Sequence, residues 1–198
     1  MLDALDRSGQ RDNTLVIFMS DHGEMLGDHG LLQKGCRFYE GLVRVPLICS
    51  WPGHFLEGVQ REALVELMDI APTLLELAGL PVPAQMQGRS LLPLLNDPQA
   101  EDRHREFVRS EYYAAINAQY NENFSGTYAT MLRDERYKLI VYHGHGFGEL
   151  FDLEADPGEF VNRWDDPALQ STKMRLMQLS FDALAFATDI GTKPVTIF

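Results

Sequence analysis

The sequence predicts an α/β chain of two parts: an α/β portion over residues 1–98, then a small α+β subdomain over residues 99–198 made of an antiparallel sheet and a C-terminal helix. Three observations carry this. Thr14 to Met19 is a short apolar run rich in branched residues, too short for a typical helix, and it breaks at once into Ser20-Asp21-His22-Gly23-Glu24. A second apolar run, Val43 to Ser50, follows a polar, glycine-containing loop. Beyond the polar stretch Asn96 to Arg105 the hydrophobic period changes, first to alternation and then to helical spacing.

In chain order, Met1 to Ser8 reads as the last turns of an amphipathic helix ended by Ser8-Gly9. Thr14 to Met19 is expected to be a fully buried parallel strand, because apolar residues stand at both odd and even positions. Parallel partners need long crossovers, and only Val43 to Cys49 and Ala63 to Leu67 are available as downstream strands. Trp51-Pro52-Gly53 closes the second strand as a turn. Asp69 is expected to cap a helix that shows Ile70, Leu74, Leu77 and Ala78 on one side and stops at Gly79. Leu80 to Gln87 is a loop, and Gly88-Arg89-Ser90 leads into a short apolar helix ending near Asn96. Glu106 to Tyr113, Thr127 to Leu132, Tyr137 to His143 and Glu149 to Leu153 read as strands, with Arg133 to Arg136 as a hairpin turn. Pro167 to Ala187 carries Leu169, Met174, Leu176, Met177, Leu179, Phe181 and Leu184 at helical spacing and is expected to cover the sheet. No internal repeat or low-complexity tract is present.

With 198 residues and 45% hydrophobic content, the chain can bury one good core or two small ones. Seventeen Lys plus Arg against 29 Asp plus Glu give a net charge of −12, which argues against nucleic acid and anionic membrane as partners. An anionic substrate therefore needs a local cationic site. Cys36 and Cys49 are too few for a disulfide framework, and Cys49 reads as a small core residue. MLDALDRSGQ has neither a basic n-region nor an apolar h-region, and no run approaches the roughly 20 apolar residues of a membrane span. A cytoplasmic location is the expectation.

The polar loop holds an ordered series: Ser20 to Glu24 (SDHGE), Gly27 to Gly30 (GDHG), Lys34-Gly35, Tyr39-Glu40 and Arg44 to Pro46 (RVP). One SDHG alone is a weak signal, but the set in order resembles the sulfatases of the alkaline phosphatase superfamily. The likeness extends through DIAPTLLELAG (Asp69 to Gly79), GRSLLPLL (Gly88 to Leu95) and ELFDLEADPGE (Glu149 to Glu159). Within that family it is nearest to bacterial choline sulfatase and phosphonate monoester hydrolase types. The resemblance implies that residues 1–98 are the C-terminal part of an alkaline phosphatase-like mixed sheet sandwich. The family's larger domain begins well upstream of such a part.

Read alone, Asp21 is as suited to capping a helix as to binding metal, and His22 to bonding a backbone carbonyl. The resemblance implies that both ligate a divalent cation, Ca²⁺, Mn²⁺ or Zn²⁺. An oxygen plus an imidazole suits Mn²⁺ or Zn²⁺ better than Ca²⁺, which prefers all-oxygen shells. Lys34, otherwise a solvated surface lysine, is implied to contact the oxyanion of the sulfate or phosphate group, where a compact ammonium is a suitable point charge. Gly23 and Gly30 permit backbone turns around the site. Glu24, Asp28 and His29 are either supporting groups for the ligands or loop-holding ones. Tyr39 and Glu40 line the pocket or pack, and Arg44 is structural. His143 and His145 lie in a glycine-rich hairpin end and are read as a surface loop, with an accessory substrate contact as the alternative. Asp152, Asp156 and Pro157 form a turn.

Sulfatases of this kind use a cysteine in a CxPxR context, converted to formylglycine, and an upstream Asp pair. Neither cysteine here stands in that context. The expectation is a C-terminal portion of a metal-dependent sulfuric ester hydrolase, inactive alone, whose substrate is a small sulfate ester. A phosphonate or phosphate ester is the alternative within the superfamily. A non-catalytic remnant or assembly module is the alternative outside it, with a homo-oligomer or the upstream part covering the sheet edge.

Overall fold

In a computed structural model of the chain, which describes residues 1–113 and 127–187, the first helix α1 (Leu2–Ser8) is stopped by Gly9 in the left-handed conformation. β1 (Val16–Met19) and β2 (Leu47–Ser50) follow as expected in place, but they pair antiparallel, with Val16 opposite Ser50 and Met19 opposite Leu47. This corrects the parallel reading. The loop 20–46 leaves β1 at the end where β2 begins, and its only α-helical segment is the one-turn α2 (Glu40–Val43), so no crossover carries the chain back. Nor is β1 fully buried. Phe18 and Ile48 sit opposite one another and are 61% and 57% exposed. Apolar composition encoded a face to be covered, and no described element covers it.

Ala63 to Leu67 forms no strand; Glu62 N and Ala63 N instead donate to the carboxylate of Asp102 at 2.8 and 3.1 Å. Asp69 precedes α3 (Ile70–Leu77), yet its carboxylate does not cap that helix. It accepts from Glu66 N at 2.9 Å, completing a capping box around the 3₁₀ turn Leu67–Asp69. The buried face of α3 is Pro72 and Thr73, while Leu74 is exposed, so the expected stripe is not the packed one. Thr73 Oγ1 donates to Asp69 O (2.6 Å) and accepts from Leu91 N (2.8 Å), which seats the segment before α4 (Leu92–Asn96) against this face.

The second half is a four-stranded meander, β3 (Val108–Tyr113), β4 (Tyr128–Arg133), β5 (Tyr137–Tyr142) and β6 (Phe147–Asp152), antiparallel throughout and in sequence order. The β4–β5 turn is held by Asp134 Oδ1, which accepts from Arg136 N and Tyr137 N. Period-2 alternation gives the sheet two apolar faces. One face, with Ala129, Met131, Ile140, Tyr142 and Phe151, packs on Phe38 of the loop 20–46. The other, with Leu132, Leu139 and Leu150, packs on Leu176 of α5 (Gln170–Ala187). The helix therefore covers the sheet as expected, through Leu176 with Leu169 and Leu179 at its margin, while Met174 and Phe181 point to solvent. Each fully buried leucine stabilises the fold by about 1.5–3 kcal/mol. No helix among the described residues is long and apolar enough to cross a membrane.

Candidate functional site

The loop after β1 is fixed by its own backbone before any ligand is considered. Ser20 Oγ donates to His22 O (2.7 Å), His22 N donates to Asp21 Oδ1 (3.0 Å), and Gly23 N donates to Leu42 O of α2 (2.8 Å). A side chain at Gly23 would place its Cβ 1.8 Å from Gly41 O, so only glycine lets the two backbones meet here. Farther along, Leu26 and His29 adopt left-handed conformations that cost non-glycine residues about 1–2 kcal/mol each. Stacking of His29 on Tyr39, with ring centroids 3.9 Å apart and 11° between planes, offsets part of that cost.

The three residues singled out by sequence come together. His22 Nδ1 lies 2.8 Å from Gly23 O, and since a carbonyl only accepts, Nδ1 carries the hydrogen. That leaves the lone pair of the imidazole on Nε2. Lys34 Nζ stands 2.7 Å from Nε2 and donates to it. Asp21 Oδ2 is 3.6 Å from the same nitrogen. The His22 N–H, with the Lys34 ammonium beyond it, lowers the Asp21 pKa from its ordinary value and keeps the carboxylate ionised. Asp21 and His22 are 83% and 43% exposed at their side chains, so an ion can reach both.

Asp21, His22, Lys34 and Arg37 line one open cavity of about 1350 Å³ that continues along β2 and residues 59–68. Donor atoms 3.6 Å apart can both reach one cation at about 2.1 Å each, so the pair fits one side of a divalent ion. No group of three or more His, Cys, Asp or Glu side chains able to hold a metal occurs among the described residues. The chain thus offers part of a shell.

Most of the other loop residues hold the loop. Glu24 Oε1 accepts from Met25 N (3.2 Å), His29 and Tyr39 stack, and Glu40 forms ion pairs with Lys138 (2.6 Å) and Arg133 (3.7 Å). Arg44 is exposed and lies 3.8 Å from Glu62. His143 Nε2 contacts Thr130 Oγ1 at 3.0 Å and His145 sits in the β5–β6 turn beside Phe147. Asp152 accepts from Ala155 N and Asp156 from Val161 N, as the turn reading expects, and Asp152 also binds the Arg136 guanidinium through two oxygens.

Sequence reasoning missed two buried ionic clusters. Lys138, fully buried in β5, donates to Phe38 O (2.9 Å) and Glu159 Oε1 (2.7 Å), while Glu159 Oε2 accepts from Glu40 N (2.7 Å). A lysine inside the apolar run Tyr137 to Tyr142 was the available signal, since buried lysines are paired. In the second cluster, Arg105 bridges Glu66 and Asp69, Arg89 N donates to Asp69, and Arg109 N donates to Glu66. His104 Nε2 approaches Asp69 Oδ2 to 3.4 Å without an aligned hydrogen bond, and burial pushes its pKa down.

Known proteins resemble this chain in sequence and in fold. A family model described as N-sulphoglucosamine sulphohydrolase, C-terminal, matches residues 27–183. The N-acetylglucosamine-6-O-sulfatase of Bacteroides thetaiotaomicron is 34% identical over 182 residues, 90% of this chain and 31% of the relative. The multifunctional alkaline phosphatase superfamily protein PehA of Trinickia caryophylli is 39% identical over 171 residues, 83% and 33% of the two chains. Among solved structures, a protein in complex with its substrate D-glucosamine-2-N,6-O-disulfate superposes with a TM-score of 0.80 at 32% identity, covering 93% of this chain and 36% of that one. The phosphonate monoester hydrolase of Silicibacter pomeroyi gives 0.80 at 31%, covering 96% and 38%. The chain spans about a third of the length of the curated relatives it matches. It belongs to the N-sulphoglucosamine sulphohydrolase C-terminal family and corresponds to the C-terminal portion of a sulfatase of the alkaline phosphatase superfamily.

Proposed function

We propose that this chain supplies the cation-binding and oxyanion-binding half of a metal-dependent sulfuric ester hydrolase. The observation that carries the reading is the convergence of Asp21, His22 and Lys34 on one cavity, with the His22 lone pair aimed by its bond to Gly23 O. Asp21 Oδ2 and His22 Nε2 would hold the divalent cation, Mn²⁺ or Zn²⁺ ahead of Ca²⁺. When bound, such a cation polarises the ester oxygen and lowers the pKa of the nucleophile. Lys34 then exchanges its contact with Nε2 for the anionic oxygens of the ester head, and its charge offsets what develops there in the transition state. Residues 1–98 carry this chemistry, and residues 99–198 buttress it through Lys138 and Glu159, which bind Phe38 O and Glu40 N of the loop.

The nucleophile and the remaining metal ligands are expected from residues outside this chain, including a formylglycine. Two ligands bind an ion weakly, so the 198-residue chain alone should not turn over. The substrate class is a small sulfate ester. A phosphonate monoester is the second reading, favoured by the likeness to the Silicibacter pomeroyi enzyme, because cation and ammonium serve either tetrahedral oxyanion. The test is to supply the upstream part of a sulfatase, restore hydrolysis of a chromogenic aryl sulfate, and substitute Asp21→Ala and Lys34→Ala. Each should lower kcat about 10²-fold or more. Undiminished turnover in either variant removes that residue from the mechanism, and exclusive turnover of a phosphonate ester replaces the first reading by the second.

A further inference from the structure

We infer that Lys138, acting with Glu159 and Glu40, is a positioning residue for the His22–Lys34 pair, so that the anion and cation site is built from the second half of the chain as much as from the first. This rests on the functional reading above for its meaning, though not for its geometry. Lys138 is wholly buried; it donates to Phe38 O and Glu159 Oε1 and forms an ion pair with Glu40 Oε1 at 2.6 Å, so that it ties the loop 20–46 to Glu159. Glu159 is itself buried and left-handed, with φ 57°, and its second oxygen takes the N–H of Glu40. A non-glycine residue is held in that conformation only where its surroundings over-determine it. Here they do so through both carboxylate oxygens. The two carboxylates are balanced by Lys138 and by Arg133, 3.7 Å from Glu40, so removing one ammonium leaves buried charge unpaired.

From this anchor the contacts run directly to the site. Glu40 begins α2; Leu42 O of α2 accepts from Gly23 N; Gly23 O accepts from His22 Nδ1; and His22 Nε2 accepts from Lys34. Lys34 is tied from its other side, because Phe38, four residues on, is buried in the sheet and its carbonyl is a Lys138 acceptor. If α2 is released, Gly23 loses its seat on Gly41 and the carbonyl that fixes the His22 tautomer is free to turn. Lys138 touches neither ligand nor reacting atom and acts only through this path.

The test uses the whole 198-residue chain, with ¹⁵N signals of the His22 ring as one readout and affinity for inorganic sulfate as the other. Lys138→Met and Glu159→Gln should shift His22 from the single Nδ1–H form to a mixture of tautomers and weaken sulfate at least tenfold. Leu176→Ala loosens the sheet from its opposite face and should change neither. A variant that retains the wild-type His22 signals and a sulfate affinity within twofold overturns the proposal, as does an equal effect of Leu176→Ala. Should Lys138→Met not fold, Glu159→Gln decides, since it keeps the size and an acceptor oxygen. Absence of sulfate binding in the wild-type chain defeats the oxyanion reading instead, and the His22 signals still decide the role of Lys138.

Discussion

The charges around Asp21 and those around Lys138 belong to the same loop, and they differ in what surrounds them. Asp21 and His22 are exposed, Asp21 Oδ2 stands 3.6 Å from the His22 ring nitrogen, and Lys34 is bonded to that same nitrogen. Lys138, Glu159 and Glu40 are buried or nearly so, and each is committed to partners within the protein. Exposed charges with uncommitted capacity can meet a ligand at little cost, whereas buried ones are already spoken for and hold shape. The two sets therefore respond to substitution in opposite ways.

The largest expected loss is at Lys138→Met, which strands Glu159, leaves Glu40 to Arg133, and should lower unfolding free energy by about 3–5 kcal/mol in urea titrations. Leu176→Ala empties a fully buried site between α5 and the sheet and should cost about 2–5 kcal/mol by the same measurement. Gly23→Ala must displace Gly41 O and should cost about 1–3 kcal/mol, with the loss visible as faster amide exchange at Gly23. Lys34→Ala and Asp21→Ala should leave the urea midpoint where it is in the parent, since both are surface positions outside any buried network. A loss at Lys34 comparable to that at Lys138 would erase the contrast.

The second buried cluster gives a pH signature. Burial holds His104 below its ordinary value of 6.5, so the folded state resists protonating it while the unfolded state does not. The stability it contributes is complete above that ordinary value and is lost as pH falls through the folded one. Glu66 works the other way: burial raises its pKa above the ordinary 4.5, and its contribution is present below that value and lost as pH rises through the folded one. Because the two oppose each other, the diagnostic is His104→Gln. Urea midpoints taken between pH 7 and pH 5 should fall more steeply with acid in the parent than in the variant.

The strands of the second half and α5 were legible because alternation and helical spacing report directly which face is wetted. Asp21, His22 and Lys34 were legible only as an ordered motif; nothing in their separate residue types required them to meet. The direction of β1 was not legible, since an apolar run reports burial and carries no mark of strand polarity. Exposed Phe18 and Ile48 show the same limit, as composition demands a cover without naming it. Asp69 was misread as a cap because a carboxylate before a helix has that use locally, while here Arg105 and Arg89 N, distant in sequence, claim its oxygens. Lys138 lay hidden for a related reason: lysine is ordinarily solvated, and only the tertiary placement of Glu40 and Glu159 makes it interior.

The convergence of Asp21, His22 and Lys34 is tested most directly by titrating Mn²⁺ into the isotopically labelled chain and mapping paramagnetic broadening. At low metal ratios the broadening should centre on the His22 ring and the backbone of residues 20–24, extend to Lys34, and vanish in Asp21→Ala. Broadening centred elsewhere, or unchanged when Asp21 is removed, would contradict a shared cation and oxyanion site.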